Sequence, residues 1–344
     1  MGKEKVLLGM SGGVDSSAAA IVLQEQGYEV IGVTMQLFGK SEQNIIDAKN
    51  VCDHLGIEHY TIDFSDEFLN TVITDFLEQY KNGKTPNPCI VCNKHLKFGK
   101  MMEEAEKHGA KYIATGHYAN IEFDGNEYFL EKSEADTKDQ TYVLYNLNQD
   151  LLSHTLFPLG KFHSKDEIRQ LAEKAGLNTA MKPDSQEICF IPDNDYARFI
   201  EKKIGKFKEG NIVDKNGEIL GRHKGIIHYT VGQRKGLGIS SQTPLFVIEI
   251  NKDRNEIIVG NEECLYSKEL IAENINYISG LTPNKEFDCK AKIRYAAKEV
   301  PCTVYPLNDN KAKVVFEEPQ KAVTPGQSVV LYKGNRIIGG GIIA

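Results

Sequence analysis

Residues Lys5–Ser17 read KVLLGMSGGVDSS, and this stretch decides the fold. Lys5–Met10 is a short apolar run typical of a buried strand, and a helical pattern follows over Ser16–Gln26. The two adjacent glycines between them let the backbone turn tightly and approach a ligand without an intervening Cβ. Loop N–H groups and a helix N-terminus together attract anions. The stretch therefore predicts a phosphate-binding strand–loop–helix, although it matches neither the Walker A pattern nor G-x-G-x-x-G.

Strand and helix patterns continue to alternate as far as residue 115. Further strands are predicted at Tyr28–Met35, Glu58–Phe64 and Tyr112–Thr115. Further helices are predicted at Gln43–Leu55, Asp66–Tyr80 and Lys94–His108. Strands separated by helices of this length indicate βαβ units and a parallel sheet, which binds its ligand at the carboxyl ends of the strands.

The pattern of predicted secondary structure changes after this first region. Ala119–Lys132 predicts a hairpin, and Ser164–Ala175 predicts a helix with a capping box. Short strands separated by turns fill residues 244–344, which favours a small β-barrel. We predict an α/β fold with a Rossmann-like parallel-sheet domain over 1–200, a small basic central domain over 201–270 and a C-terminal β-barrel over 271–344.

Composition narrows the class of protein and its partners. The 344 residues are 41% hydrophobic and 26% charged, as in globular proteins. Seven cysteines, an odd number, and the lack of an apolar run of about 18 residues favour a cytoplasmic, non-membrane protein. The net charge of −7 disfavours nucleic acid as a partner, but the net charge is +4 over residues 81–111 and +6 over 198–235. These two segments predict a local RNA footprint with salt-dependent binding.

Three cysteines lie in settings that suggest chemistry. Thr85–Lys94 reads TPNPCIVCNK, which puts Cys89 and Cys92 at the start of a basic helix, where the helix N-terminus lowers a thiol pKa. Cys189 is a third candidate, although its apolar neighbours also fit an ordinary buried residue. A zinc site would need four ligands, and the sequence has no second C-x-x-C. The other cysteines are interpreted as packing residues: Cys52, Cys264, Cys289 and Cys302.

Two levels of family resemblance follow from these motifs. SGGVDSS resembles the PP-loop of the N-type ATP pyrophosphatases, which implies that ATP binds through its pyrophosphate and is cleaved to AMP. Almost end to end, the chain resembles the tRNA-specific 2-thiouridylase family, which implies ATP- and Mg²⁺-dependent 2-thiolation of the wobble uridine of tRNA. The blocks that carry this second resemblance are SGGVDSS, Asn87-Pro88 with Cys92–Lys94, Thr115–Tyr118, Lys138–Gln140, Asp184–Phe190, His228–Leu237 and Arg294-Tyr295.

The resemblance implies roles for individual residues. Cys92 would be the catalytic nucleophile, Cys189 would carry the incoming persulfide sulfur, and Asn87, Pro88 and Cys89 would surround the target base. The residues implied to bind ATP are Gly9, Met10, Ser11, Gly12, Gly13, Val14, Asp15, Ser16, Met35 and Gly116. The residues implied to touch tRNA are His117, Lys138, Asp139, Gln140, Arg294, Tyr295 and Gln327. The implied partners are anticodon stem-loops of the Lys, Glu and Gln type and a sulfur donor (a cysteine desulfurase, a relay protein or sulfide), with the enzyme acting as a monomer.

One departure from the family leaves the sulfur chemistry open. Many members carry Asp after Asn-Pro, where this chain has Cys89. The thiols of Cys89, Cys92 and Cys189 could hold a [4Fe–4S] cluster whose open iron binds sulfide. Alternatively, a persulfide relay runs between Cys189 and Cys92, with Cys89 as a spare or resolving thiol.

Two other classes of protein are weighed against this interpretation. The first class is another PP-loop enzyme. An amide synthetase is disfavoured because it needs no C-x-x-C pair beside a basic helix. A different tRNA thiolase is disfavoured because it would not share the HYTVGQRKGL block at His228–Leu237. A redox or metal-binding module without catalysis would leave SGGVDSS unexplained.

Overall fold

A computed structural model describes residues 2–38, 42–135, 138–177 and 188–344. Three β-sheets organise them: an N-terminal parallel sheet, a small mixed sheet in the middle of the chain and a large antiparallel sheet that includes the C-terminal region. Within these ranges, no helix is both long enough and apolar enough to cross a membrane.

The N-terminal sheet has five parallel strands. They are β1 (Lys5–Gly9), β2 (Glu29–Gln36), β3 (Glu58–Asp63), β4 (Tyr112–Ala114) and β7 (Thr155–Leu156). Their order is β3-β2-β1-β4-β7, so β1 lies in the centre and pairs Leu7 with Ile31 and Ile113 on its two sides. This confirms the predicted Rossmann-like sheet. Because parallel strands end at one edge, the loops after β1, β2 and β4 come together there.

Helices cover both faces of this sheet. They are α1 (Val14–Glu25), α2 (Glu42–Leu55), α3 (Ser65–Phe68), α4 (Thr74–Lys81), α5 (Pro88–Cys92), α6 (Met101–Lys107), α7 (Gln149–Ser153), α8 (Lys165–Lys174) and α9 (Tyr196–Ile204). Successive residues of β1 point to opposite faces. Val6 and Leu8 therefore belong to the buried cluster that contains Ala19 of α1, whereas Leu7 belongs to the cluster that contains Phe76 of α4.

Two helical runs contain a π-helical segment. Leu69–Ile73 joins α3 to α4, and Asn93–Lys100 joins α5 to α6. The second run was predicted to begin at Lys94 but begins six residues earlier, at Pro88. The reason is local: the Asn87 side chain accepts a hydrogen bond from the Cys89 N–H at 3.1 Å, and proline suits the first helical position.

The predicted hairpin forms from β5 (Ala119–Phe123) and β6 (Tyr128–Lys132). It does not stand alone, because β6 pairs with the last strand of the chain through Glu131 and Arg336. The hairpin thus extends the antiparallel sheet from within the N-terminal region.

The central sheet contains four strands: β8 (Gly210–Val213), β9 (Ile219–His223), β10 (Phe246–Asn251) and β11 (Glu256–Gly260). Their order is β10-β11-β8-β9. The first two short strands predicted after residue 244 therefore belong to this sheet and not to the barrel.

The C-terminal strands close into a six-stranded antiparallel barrel, as predicted. They are β12 (Tyr266–Tyr277), β13 (Phe287–Lys292), β14 (Val300–Leu307), β15 (Lys311–Lys321), β16 (Ser328–Lys333) and β17 (Arg336–Ile343). The order β12-β15-β14-β13-β16-β17 is closed by pairing of β12 with β17. Side chains that fill the interior, such as Val304, Phe316 and Val329, are almost completely buried.

Candidate active site

The loop after β1 is held in shape by its own hydroxyl groups. Ser16 Oγ accepts a hydrogen bond from the Ser11 N–H at 3.2 Å and donates one to the Gly13 carbonyl oxygen at 3.1 Å. Ser17 Oγ donates to the same carbonyl at 2.9 Å. The loop is therefore preformed rather than dependent on a ligand for its shape.

Two glycines give this loop the form of an anion site. Gly12 has a φ of +72°, and a Cβ there would lie 2.7 Å from the Asn44 carbonyl oxygen of α2. Gly13 is the N-cap of α1, and among the described residues no side chain caps this helix. The first turn of a 12-residue helix therefore opens onto the loop without a competing side chain, which favours a bound phosphate.

The other residues predicted to bind ATP surround the loop. A Cβ at Gly116 would lie 3.2 Å from the Ser16 backbone nitrogen, so β4 and α1 approach as closely as glycine allows. A Cβ at Gly9 would lie 3.4 Å from Met101 Sδ. The apolar members of the set are buried: Met10, Val14 and Met35. The structure thus places Gly116 beside the loop that follows β1, whereas Met35 lies on the neighbouring strand β2.

Asp15 carries a negative charge next to this anion site, and two side chains compensate it. Both carboxylate oxygens of Asp15 accept hydrogen bonds from Lys165 Nζ at 2.6 Å. The Tyr118 hydroxyl donates to Oδ1 at 2.7 Å. The Lys165 side chain is only 10% exposed, so the pair is partly shielded from solvent. The pairing reduces the repulsion that Asp15 would exert on a bound polyphosphate.

The cysteine loop places two thiols at different depths. Asn87 caps α5, Pro88 is buried, Cys89 is exposed and Cys92 is buried. One helical turn later, the Asn93 side chain donates to the Val143 carbonyl oxygen at 2.9 Å. The helix is thereby tied to the chain segment that follows Lys138–Gln140.

The environment of Cys89 differs from the sequence expectation. Burial raises the pKa of the Cys89 thiol, the charge of Lys97 lowers it, and the nearby Cys189 raises it. The predicted lowering by the helix N-terminus is therefore wrong for Cys89, because desolvation outweighs it. The Cys89 side chain nevertheless remains accessible to solvent. Cys92 and Phe190 belong to the same buried cluster, so the two predicted segments pack against one part of the core.

Cys189 is exposed between anchored neighbours. Phe190 is buried, with its ring 5.5 Å from Phe68, 5.4 Å from Phe76 and 5.3 Å from Phe199. The thiol next to this aromatic cluster is thus presented at the surface and not packed inside. The first part of the matched block, residues 184–187, lies outside the described residues.

The three thiols do not form a metal site as they are arranged here. Cys89, Cys92 and Cys189 all lie within the described residues, where no group of three or more Cys, His, Asp and Glu side chains is placed to hold a metal ion. They therefore do not fit a [4Fe–4S] cluster in this arrangement. The cluster remains a prediction that iron analysis would test.

The two chain segments predicted to touch tRNA come together. Tyr295 donates its hydroxyl hydrogen to the Asp139 carbonyl oxygen at 3.3 Å, and both Arg294 and Tyr295 are exposed. Gln140 is fixed by two hydrogen bonds with the backbone of Tyr118, each 3.0 Å long. The segment that contains Lys138 is therefore connected through Tyr118 to Asp15 at the glycine loop.

Two other predicted tRNA contacts point inward. His117 is only 8% exposed and bonds Thr115 Oγ1 through Nδ1 at 2.7 Å. Burial, helped by Lys97, holds the pKa of His117 well below its ordinary value, so its imidazole is neutral and offers no cation to a phosphate. Gln327 Nε2 donates to the Thr85 carbonyl oxygen at 2.8 Å, which directs this side chain toward the cysteine loop.

The two predicted basic segments are neighbours. Lys94 is exposed on the helix that follows Cys92, and Lys202 and Lys203 are exposed on α9. Helix α9 packs against α4 through the stacked rings of Tyr196 and Tyr80, 5.0 Å apart. Exposed lysines therefore lie on the helix that follows Cys92 and on a helix packed against α4.

Sequence reasoning missed several residues of the site. Lys165 was noted only as part of a capped helix, because its partner Asp15 is 150 positions away. Tyr118 lay inside a matched block but had no assigned role. Thr85 stood at the edge of the cysteine loop, and nothing local indicated its contacts with the barrel.

Comparisons with known proteins cover nearly the whole chain. Residues 4–193 match the family model described as the tRNA methyl transferase HUP domain, 197–261 match the tRNA methyl transferase PRC-barrel domain, and 267–343 match the aminomethyltransferase beta-barrel domain. A protein of Clostridium botulinum (strain Alaska E43) named tRNA-specific 2-thiouridylase MnmA is 52% identical over 99% of this chain and 98% of its own length. Proteins of the same name are 51% identical in Acetivibrio thermocellus, over the full length of both chains, and 49% identical in Clostridioides difficile, over 99% and 98%.

Proposed function

The chain belongs to the tRNA-specific 2-thiouridylase family and is thus a tRNA-modifying sulfurtransferase, and we propose that it exchanges the C2 oxygen of the wobble uridine for sulfur in two steps. The observation that carries the proposal is that Cys92 and Phe190, the chain neighbour of the exposed Cys189, belong to one buried cluster, so the two cysteine segments pack together. The PP-loop identity of the glycine loop supports ATP as the activating substrate.

In the first step, the uridine O2 attacks the α-phosphorus of ATP. The bond from the α-phosphorus to the bridging oxygen breaks, and pyrophosphate leaves. The loop N–H groups and the α1 N-terminus would bind the departing pyrophosphate, which spreads its negative charge. A Mg²⁺ ion bound with ATP supplies further charge neutralisation. The Lys165–Asp15 pair would keep the Asp15 carboxylate from opposing this binding.

In the second step, sulfur replaces AMP at C2. The terminal sulfur of a persulfide on Cys189 attacks C2, and the C2–O bond breaks with AMP as the leaving group. A Cys92 thiolate then attacks Cys189 Sγ, which leaves the sulfur on the base and forms a Cys92–Cys189 disulfide. A thiol reductant restores both cysteines. Cys89, three residues before Cys92, would be a spare or resolving thiol.

The partners follow from the family and the charge distribution. The substrates we propose are tRNAs of the Lys, Glu and Gln type, bound as anticodon stem-loops in which the target base is splayed out. Exposed lysines on the helix after Cys92 and on α9 would bind the phosphates, so that affinity falls as salt rises. A cysteine desulfurase or a relay protein supplies the persulfide sulfur of the relay, sulfide is the donor only in the cluster alternative, and the enzyme acts as a cytoplasmic monomer.

Thiolation of an unmodified tRNA transcript tests the proposal. The reaction contains ATP, Mg²⁺ and a persulfide-generating desulfurase, and nucleoside mass spectrometry detects 2-thiouridine. We expect Cys92→Ser and Cys189→Ala to abolish the product while ATP binding survives, whereas Cys264→Ser, on a cysteine remote from this loop, behaves like the wild type. Loss of ATP binding in C189A would instead indicate a structural role.

Anaerobic purification decides between the relay and the cluster. The relay predicts a colourless, iron-free protein that thiolates tRNA with a persulfide donor. Stoichiometric iron and sulfide that vanish in Cys89→Ala, together with activity that depends on them, would establish the cluster instead.

A further inference from the structure

The barrel forms hydrogen bonds with the chain just before the cysteine loop. Thr85 lies two residues before Asn87, the cap of α5. Its N–H donates to the Pro325 carbonyl oxygen at 2.8 Å, and its own carbonyl oxygen accepts from Gln327 Nε2 at 2.8 Å. Both backbone polar groups of Thr85 are thus held by residues about 240 positions away, on a single turn of the barrel.

That turn is itself fastened to the barrel. The Gly326 N–H donates to the Ile343 carbonyl oxygen at 2.9 Å, and the Ile343 N–H donates to the Gln327 carbonyl oxygen at 2.8 Å. Gly326 has a φ of +90°, and a Cβ there would lie only 2.8 Å from the Thr85 nitrogen. The two backbones approach as closely as glycine permits, so a shift of the turn would be transmitted to Thr85.

Thr85 also touches the central region of the chain. Its hydroxyl donates to Thr230 Oγ1 at 3.4 Å. Just upstream, Ile250 of β10 packs at Gly83, where a Cβ would lie 2.9 Å from Ile250 Cγ2. The segment that leads into the cysteine loop is therefore fixed by all three parts of the protein.

We infer that Gln327 is a positioning residue for the cysteine loop: by holding the Thr85 carbonyl, it fixes the start of α5 and the placement of Cys89 and Cys92. This role differs from a direct contact with tRNA, because Nε2 of the Gln327 amide donates a hydrogen bond to the Thr85 carbonyl oxygen, which directs the side chain toward the cysteine loop. The inference rests on the proposed function for the statement that these thiols react with substrate, but the clamp itself is independent of it.

The test is Gln327→Met, which keeps the length of the side chain and removes its donor. Three quantities are measured on the full-length protein: iodoacetamide alkylation of Cys92 by peptide mass spectrometry, the tRNA dissociation constant, and the single-turnover rate of thiolation. We expect Cys92 to lose protection and alkylate at least about fivefold faster, the thiolation rate to fall about 10- to 100-fold, and the dissociation constant to stay within about twofold. Gln320→Met is the matched control, because the Gln320 side chain donates to the Glu318 carbonyl oxygen of its own strand, and it should leave all three quantities unchanged.

Two outcomes would overturn the inference. Weaker tRNA binding with unchanged alkylation would make Gln327 an RNA contact, and no change in either would leave it without a role in the site. Faster alkylation without slower thiolation would keep the clamp and refute the proposed role of Cys92. Gly326→Ala provides a second variant that alters no potential RNA-contacting side chain and should reproduce the faster alkylation, with thermal unfolding measured to confirm a folded protein.

Discussion

Replacing Gly12 with alanine should separate nucleotide binding from folding. An alanine adopts the φ of +72° at a cost of about 1–2 kcal/mol. Its Cβ would also lie 2.7 Å from the Asn44 carbonyl oxygen and 2.9 Å from Asp47 Cβ, both in α2, so the loop must move away. Because the displaced loop no longer holds its N–H groups in place for the phosphates, we expect Gly12→Ala to weaken ATP binding about tenfold, or about 1.4 kcal/mol, in addition to the cost in stability.

Gly27 offers a matched control at the opposite end of α1. Its φ is +91°, but a Cβ there meets nothing within 4 Å. Gly27→Ala should therefore lower the free energy of unfolding by the same ~1–2 kcal/mol without changing ATP affinity. Titration calorimetry with ATP and Mg²⁺, combined with urea unfolding of both variants, makes the comparison. Wild-type ATP affinity in G12A, or an equal loss in G27A, would refute the assignment of this loop as the nucleotide site.

Three further perturbations have defined outcomes. Lys165→Met should weaken ATP binding on the order of tenfold, because the Asp15 carboxylate loses its lysine partner beside the phosphates. Restored ATP affinity in the Lys165→Met/Asp15→Asn double variant, measured by the same calorimetry, would establish that cause. Unchanged ATP affinity in the single variant would contradict it. Below about pH 6.5, His117 is protonated in the unfolded chain, whereas the buried imidazole stays neutral. The free energy of unfolding should therefore decrease as the pH is lowered, by up to ~1.4 kcal/mol per pH unit. In urea titrations, His117→Gln should show a smaller dependence of the unfolding free energy on pH. Phe190→Ala removes the ring at the centre of an aromatic cluster and should cost about 3–5 kcal/mol of stability; a loss below 1 kcal/mol in urea unfolding would mean that this segment is not anchored as described.

The parts of the fold that local pattern dictates were predictable. The apolar run at Lys5–Met10, the glycines after it and the helix beyond gave the correct strand–loop–helix, because each step depends only on neighbouring residues. The start of the cysteine helix was misplaced to Lys94, although Asn87 and Pro88 carried the signal for an earlier start. The π-helical segments have no comparable local signature.

The long-range contacts of the site could not be read from one sequence. The Lys165–Asp15 pair and the Gln327–Thr85 bond join residues 150 and 242 positions apart, and each depends on how whole domains pack. The pKa of Cys89 is a similar case. A helix N-terminus suggests a lowered value, but the density of surrounding protein, which decides the sign, exists only after folding.

The pairing of β6 with β17 determines the order in which parts of the protein fold during translation. The hairpin that ends at Lys132 is synthesised about 200 residues before Arg336. At a synthesis rate of ~5–20 residues per second, the hairpin waits about 10–40 s for its partner strand. The turn that holds Thr85 emerges in the same late interval. We therefore expect a nascent chain arrested at residue 320 to bind ATP before its cysteine loop is fixed, so that competence for nucleotide precedes competence for sulfur transfer during translation.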